Sequence, residues 1–214
     1  VPPIDNNDIV IKTFKEQMNS KNIEWITYLS ATSVYGNHYG EWVNEKSSTN
    51  PTSKNGVDRL KAEKLWLDLS NQINLPLQIF RLSGIYLYQF NSLRRVKNGE
   101  AKIIKKKNHF FSRIHVEDIA NILFKSLKIF KRGEIFNISD DKPSSNEEVI
   151  KYCVKISGAK LPETIETNML SDLMQNFYKD SKKVDNKKMK NFFNYNLKYP
   201  TYEEGLSKIN KDFI

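Results

Sequence analysis

Ser30-Ala31-Thr32-Ser33-Val34-Tyr35-Gly36 is the stretch that decides the fold. Before it lies Ile23-Glu24-Trp25-Ile26-Thr27-Tyr28-Leu29, rich in β-branched and aromatic side chains, which reads as a strand ending at Ser30. After it, a polar loop rich in Gly, Asn and Ser runs over 36–55. The spacing then predicts a helix over 57–72, with Leu60, Leu65, Trp66 and Leu69 on one apolar stripe. Upstream, Ile9, Val10, Ile11, Phe14 and Met18 predict a helix over 8–19.

The alternation continues along the chain. Residues 75–82 form a buried-type strand opened by Pro76, and 90–97 a helix stopped by Asn98-Gly99. Short strands are predicted at 101–105 and 110–114. A helix over 116–128 carries Glu117 and Asp118 in its first turn, where acidic groups suit the positive helix N-terminus. A strand follows at 133–138, and Ser144-Ser145-Asn146-Glu147-Glu148 opens a helix with a capping-box pattern. The last third reads as helical and polar. This order predicts an α/β fold, a parallel sheet with crossover helices and a small second lobe inserted after Tyr86.

Composition narrows the function classes. The 214 residues are 39% hydrophobic and 12% aromatic, as a packed protein requires. No apolar run approaches the ~20 residues of a membrane span, and Val1-Pro2-Pro3-Ile4-Asp5 lacks the basic and apolar regions of a signal peptide. The single cysteine, Cys153, excludes an internal disulfide and a cysteine-rich metal site, so a cytoplasmic setting and no metal are expected. The net charge of +9 comes mainly from lysines spread along the chain. Their densest run, 182–190, is broken by Val184 and Met189, as on a solvated amphipathic helix. The expectation is therefore neither a nucleic-acid nor a membrane partner.

Four segments, in order, carry a family resemblance. Ser30 to Gly36 resembles the S-S-x-x-V-Y-G signature of extended short-chain dehydrogenases/reductases, the NAD-dependent epimerase/dehydratase family. Ile79-Phe80-Arg81-Leu82-Ser83-Gly84-Ile85-Tyr86 is similar to their R-x-x-x-x-Y-G-P segment. Arg113-Ile114-His115-Val116-Glu117-Asp118 is similar to their I-H-V-D-D segment, and Ile135-Phe136-Asn137-Ile138 to the strand that follows. Gly40-Glu41-Trp42, Asn50-Pro51-Thr52-Ser53 and Tyr199-Pro200-Thr201-Tyr202 resemble the atypical, YeeZ-like subgroup.

The resemblance implies a Rossmann-type domain over 1–86 and 109–140, and a substrate lobe over 87–108 and 141–214. It implies NAD or NADP, held only together with the missing N-terminal half, beside Pro2, Pro3, Leu29, Ser30, Ala31, Arg59, Leu82, Ser83, Gly84 and Ile85. It also implies a small-molecule substrate such as a nucleotide-sugar, facing Thr32, Tyr35, Tyr86 and His115. In the family a Ser or Thr, a Tyr and a Lys four residues on carry the proton transfer. The lysine lowers the tyrosine pKa from the same helix face. Those positions are here Ala31, Asn55 and Arg59. Asn55 has no ionisable proton and arginine stays charged. Two readings follow: another group, among them Thr32, Tyr35, Tyr86 and His115, takes over the chemistry, or the fold persists without Tyr-based redox activity, as a nucleotide-binding sensor or scaffold.

The Gly-rich turn that cradles a dinucleotide pyrophosphate is not found in the sequence. The resemblance therefore implies the C-terminal part of a Rossmann-type sheet, with Val1-Pro2-Pro3 at the end of the family's fourth strand. A fragment, a truncated or split gene, and a partner chain supplying the other half all fit. An unpaired apolar strand predicts self-association or association with that missing N-terminal segment.

Overall fold

The computed structural model describes residues 3, 8–19 and 22–212, apart from the side chains of Leu173 and Asn176. Pro2 lies outside the described residues. The strands are β1 (Ile26–Ala31), β2 (Trp42–Val43), β3 (Leu77–Leu82), β4 (Gly84–Tyr86), β5 (Ile103–Lys105), β6 (Arg113–His115), β7 (Ile135–Ile138), β8 (Thr164–Glu166) and β9 (Lys183–Val184). The helices are α1 (Ile9–Met18), α2 (Lys54–Ile73), α3 (Ser92–Lys97), α4 (Val116–Ser126), α5 (Asn146–Ser157), α6 (Asp172–Phe177), α7 (Lys187–Phe193) and α8 (Tyr202–Asp212).

The centre is a parallel sheet in the order β1-β3-β7, with Ala31 opposite Leu82 and Leu82 opposite Ile138. Both faces are covered, as parallel sheets require. On one face Leu77 and Ile79 pack with Met18, Tyr28, Ala62, Trp66 and Leu69 from α1, β1 and α2. On the other, Phe80, Leu82 and Phe136 pack with Ile119, Ile122, Met189 and Phe193 from α4 and α7. β3 is therefore buried along its whole length. A separate core of Leu93, Val96, Ile103, Val149, Ile150, Leu206 and Ile209 holds α3, β5, α5 and α8 together as the lobe.

Helix ends are set by side chains. Asp8 Oδ1 caps α1 by accepting from the Val10 and Ile11 amides, and its other oxygen accepts from Trp66 Nε1 at 3.0 Å. α1 is thereby tied to α2. Ser53 caps α2 through the Gly56 amide at 3.1 Å. Ser145 and Glu148 form the expected capping box of α5.

The structure corrects several boundaries. The strand expected at 23–29 begins at Ile26 and runs to Ala31, because its pairing with β3 starts at Ile26–Leu77. The loop 36–55 contains β2, and the last third contains β8 and β9, each in a two-stranded parallel pair: β2–β9 and β5–β8. Leu65 is 42% exposed, since the buried face of α2 runs through Ala62, Trp66 and Leu69. The run 182–190 is not one helix: Lys183–Val184 pairs with Trp42–Val43, and α7 starts at Lys187. α7 lies in the segment 141–214 assigned to the lobe, yet it packs on the central sheet.

Candidate active site

Parallel strands bring their carboxyl ends to one edge, where a crevice opens in folds of this kind. Here β1 ends at Ala31 and passes into a single 3-10 turn, Thr32–Tyr35. β3 ends at Leu82 and continues through Ser83 into β4, which pairs with β6. Between these ends and the lobe lies a cavity of about 890 Å³. Thr32, Ser33 and Ser53 line it on the sheet side, and Arg94, Arg95 and Asn98 on the lobe side. Gly84, Ile85 and Tyr86 run along it between the two.

One wall is aromatic. Phe111 stacks on Phe177 with ring centroids 4.8 Å apart, and Tyr178 stands edge-on to Phe111 at 5.2 Å. Behind them His109 is buried against Tyr178 and Phe111. Burial, with Lys106 adding to it, lowers the His109 pKa to about 4, so the ring is neutral. The Arg113 guanidinium sits 5.9 Å from the Phe111 ring and donates to the Phe111 and Ser144 carbonyls. Beneath it Asp140 is buried, and burial pushes its pKa up to about 8 against the pull of Arg113. Its Oδ2 makes no hydrogen bond.

The resemblance positions fall in different places. Thr32 lines the cavity, and Gly84, Ile85 and Tyr86 do so from β4. Ala31 and Leu82 are opposite one another at the strand ends. Ser30 is buried and donates to Glu63 Oε1 at 2.6 Å, so its hydroxyl faces α2. Ser83 Oγ is buried without a hydrogen-bond partner. Leu29 is partly exposed, and Pro3 is half-buried. Asn55 is exposed in the first turn of α2, outside the cavity lining. Arg59 Nη1 donates to the Leu29 carbonyl at 2.6 Å.

Tyr35 does not reach the cavity. Its ring is fully buried under the Arg81 guanidinium, 4.9 Å away, and its hydroxyl donates to Asn137 Oδ1 at 2.7 Å. Burial raises its pKa despite Arg81. His115 is also buried, between Tyr86 and Tyr199, and its Nδ1 accepts from the Glu117 amide at the start of α4. Burial lowers its pKa, which keeps that nitrogen an acceptor. Tyr86 turns its hydroxyl toward Gly205 of α8, and burial raises its pKa strongly. The ring borders the cavity while the phenol is directed into the lobe.

Sequence reasoning missed Lys182, Arg113 and the aromatic wall as cavity residues. Lys182 was part of a lysine run and carried no signal of its own. Its amine is nevertheless nearly enclosed and donates to the Gly36 carbonyl at 2.9 Å. Residues 178–184 are stitched to residues 36–52 around it. Ser181 O accepts from the His38 and Gly40 amides, and Thr52 Oγ1 donates to Asp180 at 2.6 Å.

No protein-family model matches the chain. A UDP-glucose 4-epimerase of Lactobacillus helveticus is 23% identical over 189 residues, covering 75% of this chain and 57% of that enzyme. The chain thus spans little more than half the length of that relative. The structure of UDP-glucuronic acid 4-epimerase from Bacillus cereus, in complex with UDP-glucuronic acid and NAD, superposes with a TM-score of 0.78 at 18% identity. It covers 96% of this chain and 67% of its own. A conserved protein of unknown function from Silicibacter pomeroyi is 34% identical, with a TM-score of 0.91 over 100% of this chain and 76% of its own. The chain belongs to the family of that Silicibacter pomeroyi protein and has the Rossmann-like fold of the sugar-nucleotide epimerases and dehydratases.

Proposed function

We propose that this protein is an epimerase/dehydratase-like oxidoreductase that takes an NAD-type dinucleotide and a nucleotide-sugar, and that it works without the family's Tyr–Lys pair. The observation that carries this reading is the cavity at the carboxyl ends of β1 and β3, lined by Thr32 on the sheet side and by Arg94, Arg95 and Arg113 elsewhere. Three guanidiniums suit a substrate bearing phosphate, for which arginine forks are the usual recognition groups. The solved relatives of this fold that carry NAD and UDP-sugars support the same assignment.

The residues present fit the nicotinamide end of the dinucleotide. Ser83 offers a buried, unpaired hydroxyl next to Gly84, which lacks a side chain at the cavity edge, while Ile85 supplies an exposed apolar surface. Ala31 lies opposite Leu82, the residue before Ser83, and Arg59 is bonded to the Leu29 carbonyl on β1. The dinucleotide supplies the redox chemistry when bound. Thr32 orients a substrate hydroxyl, the arginines hold the phosphates, and the aromatic wall excludes water. We further propose that the chain is of the YeeZ-like subgroup, with a Rossmann-type part that also takes in α7 and a lobe built on α3, β5, α5 and α8, and that it is a C-terminal part of such a protein that associates with itself or with an N-terminal half.

NADH fluorescence and turnover of a panel of UDP-sugars, measured with the N-terminal Gly-rich half supplied, test the reading. Binding with product formation is the expected result, and no NADH binding overturns it. A second reading, a sensor or scaffold, is favoured by the exposed Asn55 and by Arg59 bonded to Leu29 O. It expects binding of the dinucleotide with no turnover.

A further inference from the structure

The residues that face the cavity leave few groups able to exchange a proton. Tyr86, Tyr178 and Tyr202 are all raised by burial, Tyr178 to about 12, so none ionises near neutrality. Arg94, Arg95 and Arg113 remain cations. Glu100 follows α3 in the lobe, and Asp180 is held by Thr52. Asn55 has no proton to give.

Lys182 remains. Its amine donates to Gly36 O, and the Gly36 amide donates to Ser33 O, so Lys182 sits on the same turn as Thr32 and Ser33. All three line the cavity. Because Gly36 O fixes one hydrogen, the amine keeps a defined orientation. Its side chain is 12% exposed. Burial lowers its pKa, and Asp180, 4.0 Å away, opposes that only in part. The other groups facing it are His109, held neutral, and beyond it Lys106, whose amine donates to Tyr178 O. Neither stabilises an ammonium. A Lys amine enclosed in this way is a recognised general base.

We propose that Lys182 is the proton acceptor and donor of the reaction, in place of the family's tyrosine, and that Thr32 holds the same substrate oxygen. The assignment rests on the oxidoreductase reading above. In the forward step the substrate O–H bond breaks and its proton joins the Nζ lone pair. The carbinol C–H electron pair leaves to the oxidised nicotinamide dinucleotide as the C=O bond forms. In the reverse step the ammonium returns the proton.

The test starts with the unaltered protein. Trace acetylation with acetic anhydride, read by peptide mass spectrometry against pH, gives the titration midpoint of Lys182. Lys187, with a side chain 84% exposed, is the internal reference. The expected midpoint lies below that of Lys187, and UDP-glucose slows labelling of Lys182 alone. Lys182→Arg keeps a long side chain with N–H donors for Gly36 O but has no lone pair to serve as a base. It is expected to bind NADH like the parent and to lose roughly 100-fold or more in turnover. A Lys182 midpoint equal to that of Lys187, or turnover by Lys182→Arg within threefold of the parent, overturns the assignment. Absence of NADH binding by the parent with the N-terminal Gly-rich half supplied overturns the oxidoreductase reading instead, so the two failures are distinguishable.

Discussion

Glu63→Leu is expected to destabilise the protein far more than removal of a surface charge. Glu63 and Arg81 are among the most enclosed charged residues, 1% and 4% exposed. Arg81 reaches across from β3 to α2 with two nitrogens, at 2.7 Å and 3.1 Å, and Ser30 donates to the same carboxylate. Burial works against the guanidinium charge, and the bonds and charge of Glu63 outweigh it, holding the Arg81 pKa above its ordinary value. Leu at 63 leaves Arg81 charged, buried and without its counter-ion. Breaking such a pair costs about 3–5 kcal/mol. At about 2–4 °C per kcal/mol for a chain of this size, the midpoint falls by roughly 6–20 °C. Urea and thermal unfolding followed by circular dichroism measure it. The double variant Glu63→Leu/Arg81→Met removes both charges and is expected to recover most of the loss, a coupling of about 2 kcal/mol or more. A cost for Glu63→Leu below about 1 kcal/mol, or a double variant as unstable as the sum of the singles, refutes the reasoning.

Asp140→Asn tests the raised carboxyl beside Arg113. In the folded protein Asp140 keeps its proton to about pH 8, while the unfolded chain releases it near 3.8. Stability contributed by that proton is complete below the unfolded value and is lost as pH rises toward 8. The variant should therefore gain on the parent in thermal midpoint between pH 5 and 8 and hold a constant lead above it. His109→Gln tests the opposite sign. With a folded pKa near 4, the neutral ring favours folding above about 6.5 and the benefit fades as pH falls to 4, so the variant should flatten the acid side of the stability profile. Gly36→Ala should be poorly folded, because φ is +69° and a Cβ there would lie 1.8 Å from Asn50 O; expression and a melting curve decide it. Asp8→Ala should cost about 1–2 kcal/mol through loss of the α1 cap and the Trp66 bond, with faster amide exchange confined to residues 9–18.

Much of the architecture was readable from period and punctuation. Pro76 and the apolar run after it marked the central strand, and Ser145 with Glu148 marked the start of α5 by a purely local bond pattern. The short parallel pairs were not readable, because two-residue strands such as Trp42–Val43 exist only through partners far along the chain. In the site, Thr32, Gly84 and Ile85 line the cavity. Tyr35 and His115 occupy motif positions too, yet a sequence does not tell which way a ring turns, and both rings are spent inside the protein. Lys182 was hidden for the converse reason. Among many solvated lysines its enclosure comes from residues 36–52, and nothing local announces it.

The stitching of residues 178–184 to residues 36–52 has a consequence for how the chain is made. During vectorial synthesis β1 and α2 emerge early, but Trp42–Val43 has no strand to pair with, and the Ser181 carbonyl that accepts from the His38 and Gly40 amides does not yet exist. At about 5–20 residues per second that loop waits several seconds or more for its partner. Closing so long a connection is entropically slow as well. A nascent chain arrested before Ser181 should therefore expose the 36–52 loop to protease, while one arrested well past Val184 should protect it. The 36–52 loop is thus closed late, by the segment that also carries the cavity's buried amine.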